Sequence, residues 1–126
     1  MINYKIISKV NPRDLAAQRK LYAVKQAQNT ITLRELSQRI SRESTLSVVD
    51  IKAVLEGLLQ AIPDELNKGN IVKLNEFGTF RLTLQSTGAE TEEEFSSANI
   101  KKVNIRFRPD ALFTNMLANA QFKKVV

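Results

Sequence analysis

The sequence predicts an α+β fold: two N-terminal helices, a three-stranded antiparallel sheet drawn out into an extended β-arm, a C-terminal helix, and a preceding segment that adds strands of its own. Three observations point there. Between Thr32 and Leu66 apolar residues recur at helical spacing behind two capping signals. From Ile71 to Leu84, I-V-K-L-N-E-F-G-T-F-R-L-T-L, and again from Lys102 to Arg108, apolar and polar residues alternate with the period of a half-buried strand. A sheet this small cannot bury its own apolar face, and the helical segments on both sides supply the cover.

The first residues are the least regular. Tyr4 to Val10 reads as a strand, stopped by Asn11-Pro12. Between Arg13 and Gln28, Ala17, Leu21 and Val24 lie at helical spacing, whereas Leu21-Tyr22-Ala23-Val24-Lys25 can form a second strand. We take the strand, because a hairpin gives Tyr4 and Tyr22 a common face. Residues 1–29 are thus expected to be a basic extension. Lys5, Lys9, Arg13, Arg19, Lys20 and Lys25 face only Asp14 there, a net of plus five. Such a segment is either a solubilising, sheet-extending appendage or a phosphate-contacting arm.

Residues 30–126 form the second expected domain. Thr32-Leu33-Arg34-Glu35 has the T-x-x-E form of a capping box, and Leu33, Leu36 and Ile40 line one face of a helix ending near Arg42-Glu43. Ser47 caps a longer helix, with Asp50 favourable at the positive end of its dipole. Ile51, Val54, Leu55, Leu58, Leu59, Ile62 and Leu66 make its stripe wide enough to touch more than one surface. Pro63 is expected to bend or break this helix, and Gly69 to end it. After the strand pair joined at Asn75-Glu76, residues 85–94 turn polar and acidic. Val103, Ile105 and Phe107 then alternate with Lys102, Asn104, Arg106 and Arg108. Antiparallel pairing with Phe80 to Gln85 sets Arg81, Lys102, Arg106 and Arg108 on or near one polar face. Pro109 and Asp110 open a last helix with Leu112, Phe113, Met116, Leu117 and Ala120 on its buried stripe, and the final five residues are expected to fray.

Composition narrows the chemistry. The 126 residues contain neither histidine nor cysteine, which removes the commonest general base, thiolate nucleophiles and thiolate metal sites. No phosphate-binding G-x-x-x-x-G-K-[ST] loop is present. The glutamates at 92–94 lie on a polar loop with no rigid support for a metal. Neither an enzyme nor a cofactor is expected. No run approaches the ~18 apolar residues of a membrane span, and the first ten residues lack the apolar core of a signal peptide. A net charge of +6 suggests a polyanionic partner.

The order helix, longer helix, Gly69, V-K-L-N-E-F-G-T-F-R-L, hairpin, V-N-I-R-F-R-P and short helix resembles the HU/IHF family of histone-like DNA-binding proteins. The likeness covers roughly Thr30 to Phe122 and is most specific at Phe77-Gly78-Thr79-Phe80 and Phe107-Arg108-Pro109. It implies an IHF-like fold and a homodimer, or a heterodimer with a paralogue, in the cytoplasm and on the nucleoid. Such a dimer binds double-stranded DNA through backbone and groove shape, without a small-molecule substrate or a membrane. It implies core roles for Phe77, Phe80 and Phe107. The expected DNA-binding residues are Arg81, Lys102, Arg106, Arg108, Lys101 and Lys73, with Lys5, Lys9, Arg19, Lys20 and Lys25 as candidates in the extension. Three departures stand out. The arm tip carries Glu90, Glu92, Glu93 and Glu94 where the family has basic residues. It also has no proline wedge, leaving Phe95 as the candidate, and Asp110 replaces a usual glycine. An alternative is that the fold serves as a protein-interaction module with weak or no DNA binding.

Overall fold

The computed structural model describes residues 1–125, which fall into two compact units, 1–31 with 117–125, and Thr32–Met116. In the larger unit α1 (Leu33–Arg42) and α2 (Val48–Asn67) precede a sheet of β3 (Val72–Leu74), β4 (Gly78–Ser86) and β5 (Ile100–Pro109), ordered β3-β4-β5 and antiparallel throughout; α3 (Ala111–Met116) follows. The terminal unit holds β1 (Ile2–Lys9), β2 (Lys20–Lys25) and β6 (Phe122–Lys124) as a separate sheet in the order β2-β1-β6. The extension therefore does not lengthen the β3-β4-β5 sheet.

Capping chemistry sets the helix limits. Thr32 Oγ1 accepts from the Glu35 amide at 3.3 Å, but the Glu35 carboxylate accepts from the Thr32 hydroxyl at 3.4 Å rather than from its amide, so the reciprocal half of the box is altered. Ser47 Oγ accepts from the Asp50 amide at 3.2 Å. At the other end of α2 the Gly69 amide donates to the Leu66 carbonyl and the Asn70 amide to the Glu65 carbonyl, with Gly69 at φ 88°. This paired closure requires a left-handed residue, which glycine supplies without a Cβ penalty. Asn70 Nδ2 also donates to the Glu65 carboxylate at 2.8 Å, and that bond, helped by Lys68, holds the Glu65 carboxyl below its usual range. Its contribution is present above the ordinary carboxylate pKa and is lost as pH falls through the lowered value. Of the bend or break expected at Pro63, the break does not occur: α2 runs as one helix from Val48 to Asn67. A single missing amide is tolerated in a twenty-residue helix whose Leu66, one turn on, is buried at 4% exposure.

The sheet has one apolar and one polar side because pairing is in register from Gly78 to Gln85. Val72, Leu74, Phe80, Leu82, Leu84, Val103, Ile105 and Phe107 share the side that meets α2. Phe77 packs edge-on to Phe113 at 4.9 Å between centroids, and Phe107 stacks tilted on Phe77 and Phe80 at 5.4 and 4.7 Å. Gly78 makes this cluster possible: a Cβ there would overlap the Phe107 ring and sit 2.7 Å from the Arg108 carbonyl oxygen. Gly78→Ala is therefore expected to destabilise the chain by about 1–3 kcal/mol, read as a lowered urea midpoint with an unchanged slope. The tight β3-β4 turn is closed by the Phe77 amide on the Leu74 carbonyl and places Glu76 at φ 69°. A glycine relieves that left-handed strain, so Glu76→Gly is expected to raise stability by about 1 kcal/mol in the same titration.

Three further expectations change. Tyr4 pairs with Lys25 and Tyr22 with Ile7, an odd offset that puts the tyrosines on opposite faces of the terminal sheet. The last helix stops at Met116, leaving Leu117 and Ala120 in a turn, and Pro109 ends β5 rather than opening the helix. Of the five residues expected to fray, 122–125 are held and Val126 lies outside the described residues: β6 pairs parallel with β1 at Ile2, Asn3 and Tyr4, fixed by bonds of 2.7 Å from the Ile2 amide to the Gln121 carbonyl and 2.8 Å from the Val125 amide to the Tyr4 carbonyl.

Candidate nucleic-acid interface

Alternation along β4 and β5 and the short pairing of β3 determine which charges meet. Arg81 lies directly opposite Arg106, Gln85 opposite Lys102, and Thr79 between Lys73 and Arg108. Side chains directly opposite share a face, so Lys73, Arg81, Lys102, Arg106 and Arg108 project from the polar side, and all five are exposed. From Arg108 to Lys102 this face extends about 20 Å at ~3.4 Å per residue. A duplex presents about a dozen phosphate charges over that length.

The electrostatics of the face differ from those of the helices. The ion pairs among the described residues, Arg39–Glu43, Lys52–Glu56, Lys68–Asp64 and Lys68–Glu65, all lie on or beside helices. None involves the five sheet cations. Two arginines facing one another across strands repel, and no carboxylate of the described residues offsets the repulsion with an ion pair. Such an arrangement favours a ligand that brings closely spaced negative charge, and guanidinium forks suit phosphate oxygens.

Lys101 does not join this group. It falls at the register shift beyond Gln85, and its Nζ donates back to the Ala98 carbonyl at 3.0 Å. The β4-β5 ribbon continues past β3 only to Ser86 and Ile100, so the arm is shorter than the extended one expected. Thr87 and Asn99 close it through an amide-to-carbonyl bond of 2.8 Å and a side-chain bond of 3.1 Å, and Ser96 caps a single 3-10 turn over Ser97–Asn99. Phe95 is 42% exposed on this loop, beside Glu92 to Glu94, with its amide bonded to the Glu92 carbonyl. In the terminal unit Lys5, Lys9 and Lys20 share one face, Lys25 lies on the other, and Arg19 precedes β2. Lys73 lies on the polar side of β3, and its alignment with Arg108 through Thr79 required the register.

A helix pair whose longer member meets a three-stranded sheet with a basic opposite face is the arrangement of a histone-like fold of the HU/IHF class. The chain belongs to the HU-HIG family, described as an HU domain fused to a wHTH, Ig or glycine-rich motif, whose profile matches residues 1–124. It is 42% identical over 53 residues to the DNA-binding protein HU of Buchnera aphidicola, covering 42% of this chain and 58% of that protein. It is 29% identical over 101 residues to integration host factor subunit alpha of Rhodobacter capsulatus, covering 77% of this chain and 99% of that one. The corresponding subunit of a Ruegeria species is 32% identical over 96 residues, with coverages of 73% and 94%. Two solved structures share the fold. A Bacteroides vulgatus protein described as a candidate bacterial DNA binder has a TM-score of 0.69 at 7% identity over 98% of this chain, which spans 48% of its length. Anabaena HU in a cocrystal with DNA has a TM-score of 0.53 at 20% identity, covering 68% of this chain and 96% of that one.

Proposed function

We propose that the chain is an architectural DNA-binding protein of the nucleoid that acts as a homodimer and binds duplexes with little regard to sequence. The observation that carries this reading is the unpaired basic face formed by Lys73, Arg81, Lys102, Arg106 and Arg108. Its members are phosphate binders by chemistry, and their common side lies opposite the apolar side that packs on α2. Kinship with HU and integration host factor subunits supports the same conclusion.

Dimerisation is argued from what one chain leaves uncovered. In the larger unit only Ile51 and Leu66 are buried apolar residues, whereas Val54, Leu59, Leu84 and Ile105 are 57–68% exposed. An apolar cleft of about 300 Å³ opens between Leu59, Ile62, Pro63 and Leu66 of α2 and Phe80, Leu82 and Ile105 of the sheet. Exposed apolar side chains gathered around such a cleft mark an association surface, which a second copy covers self-complementarily about a two-fold axis.

The acidic loop works against binding. Glu90, Glu92, Glu93 and Glu94 crowd the end of the ribbon and repel phosphate within a Debye length. Within the larger unit, contact is therefore concentrated on the ribbon face. Converting Glu92, Glu93 and Glu94 to glutamine is expected to tighten duplex binding severalfold, roughly 3- to 10-fold at ~50 mM salt, measured by fluorescence anisotropy. The reading itself is tested by comparing affinities for two unrelated duplexes of equal length. Near-equal values that fall together with salt support it, and failure to bind either one refutes it.

A further inference from the structure

We infer that the terminal unit carries a second, separate DNA-backbone contact, formed by Lys5, Lys9, Lys20 and Lys123 on one face of its sheet around Tyr22. The inference rests on the reading of the chain as a DNA-binding protein and adds to it a site outside the histone-like unit. Its first basis is the distribution of charge. Met1–Ile31 with Leu117–Val126 holds eight basic side chains against Asp14 alone, a net of +7. The remaining eleven basic and twelve acidic side chains leave Thr32–Met116 at −1. The whole +6 excess of the protein thus resides in the terminal unit.

Register gathers part of that charge on one side. Lys9 lies directly opposite Lys20, Ile7 opposite Tyr22, Lys5 opposite Val24, and Asn3 beside Lys123. These residues share a face, whereas Ile2, Tyr4, Ile6, Ser8, Leu21, Ala23 and Phe122 occupy the other together with Lys25 and Lys124, so four of the sheet's six lysines lie on the first. Lysines directly opposite repel, as Arg81 and Arg106 do in the larger unit. Lys9 Nζ lies 5.3 Å from the centre of the Tyr22 ring, whose face holds the ammonium without neutralising it.

The third basis is shape. A cavity of about 460 Å³ opens beside this pair, lined by Lys9, Asn11, Gln18, Lys20 and Tyr22 among others, with no carboxylate in its wall. The loop that forms its far side is ordered, the Arg13 amide bonding to Asn11 Oδ1 at 2.9 Å and the Ala16 amide to Asp14 Oδ1 at 3.1 Å. A concave wall offering two ammonium groups, two amides and a phenol suits a phosphodiester, with lysines as point charges and amides as neutral donors.

The test measures mixed-sequence duplex affinity across a salt series for the full chain and three double variants. K9Q/K20Q removes two charges from the face, K52Q/K124Q removes two from elsewhere, and K9R/K20R preserves charge. For K9Q/K20Q the log–log salt slope is expected to become shallower by about 2 units per chain, with affinity falling on the order of 60-fold at ~0.1 M salt for each chain in contact with the duplex. K9R/K20R keeps the wild-type slope, and K52Q/K124Q shifts it by less than half a unit. Equal shifts for the two glutamine variants, or an unchanged slope for K9Q/K20Q, overturn the inference. R81A/R106A measured alongside separates the two failures: if it loses binding while K9Q/K20Q does not, only the second contact is wrong. A wild-type chain that binds no duplex removes both.

Discussion

Replacing Arg81 and Arg106 together by alanine is expected to weaken duplex binding by about 60-fold at ~0.1 M salt for each chain in contact with the duplex, with the salt slope shallower by about 2 units per chain. The two side chains are directly opposite one another on β4 and β5, exposed and without an ion-pair partner among the described residues. Each phosphate that the variant leaves unneutralised takes back roughly 0.9 of a condensed counterion, which sets both the change in slope and the drop in affinity. The effect is expected to be uniform across duplex sequences, because backbone contacts carry no base information. Stability should move the other way. Relieving a cross-strand like-charge pair is worth a few tenths of a kcal/mol, so the thermal midpoint is expected to hold or rise slightly. Weaker binding in a chain that is no less stable distinguishes a ligand contact from a structural one.

The second large effect is expected at Ile105. It projects from the apolar side of β5, 60% exposed in one chain, into the cleft that Leu59, Ile62 and Leu66 line from α2. Ile105→Asp places a carboxylate where a second copy is proposed to pack. An unpaired charge buried at such an interface costs on the order of 3–5 kcal/mol, which raises the dimer dissociation constant at least about 100-fold. Mass photometry or sedimentation at nanomolar to micromolar concentration is expected to show monomer where wild type shows dimer. DNA affinity should fall with it, since each monomer presents only one basic face. A variant that remains dimeric at wild-type concentrations would place the interface elsewhere.

Much of the architecture was readable from local signals. Thr32 and Ser47 marked both helix starts, and Gly69 marked the end of the second. Period-2 alternation placed Arg81, Lys102, Arg106 and Arg108 on one side before any pairing was known, because a single register satisfies both apolar stripes. Phe77-Gly78-Thr79-Phe80 and Phe107-Arg108-Pro109 marked the aromatic cluster, and Gly78 proves indispensable there because the Phe107 ring occupies the space a Cβ would need.

The misreadings share one physical origin, which is dependence on distant parts of the chain. Phe122-Lys123-Lys124 has no strand signal of its own and becomes β6 only because β1 offers a free edge more than a hundred residues earlier. The facing of Tyr4 and Tyr22 depends on how the Val10–Arg19 connection sets the hairpin register. Pro63 is an unfavourable local choice that does not interrupt α2, whose Leu66 is buried one turn later. The concentration of positive charge was half visible at plus five, and its remainder comes from the C-terminal lysines that β6 brings to the same sheet.

The central claim is that a dimer of this chain holds DNA by its backbone. The measurement that tests it most directly is the affinity of the wild-type protein for a mixed-sequence duplex between ~50 and ~300 mM salt, with the stoichiometry of the complex determined at each point. A steep linear fall of log affinity with log salt, two chains in each complex and similar values for unrelated sequences are expected. No binding at ~50 mM salt, or a slope near zero, would contradict it.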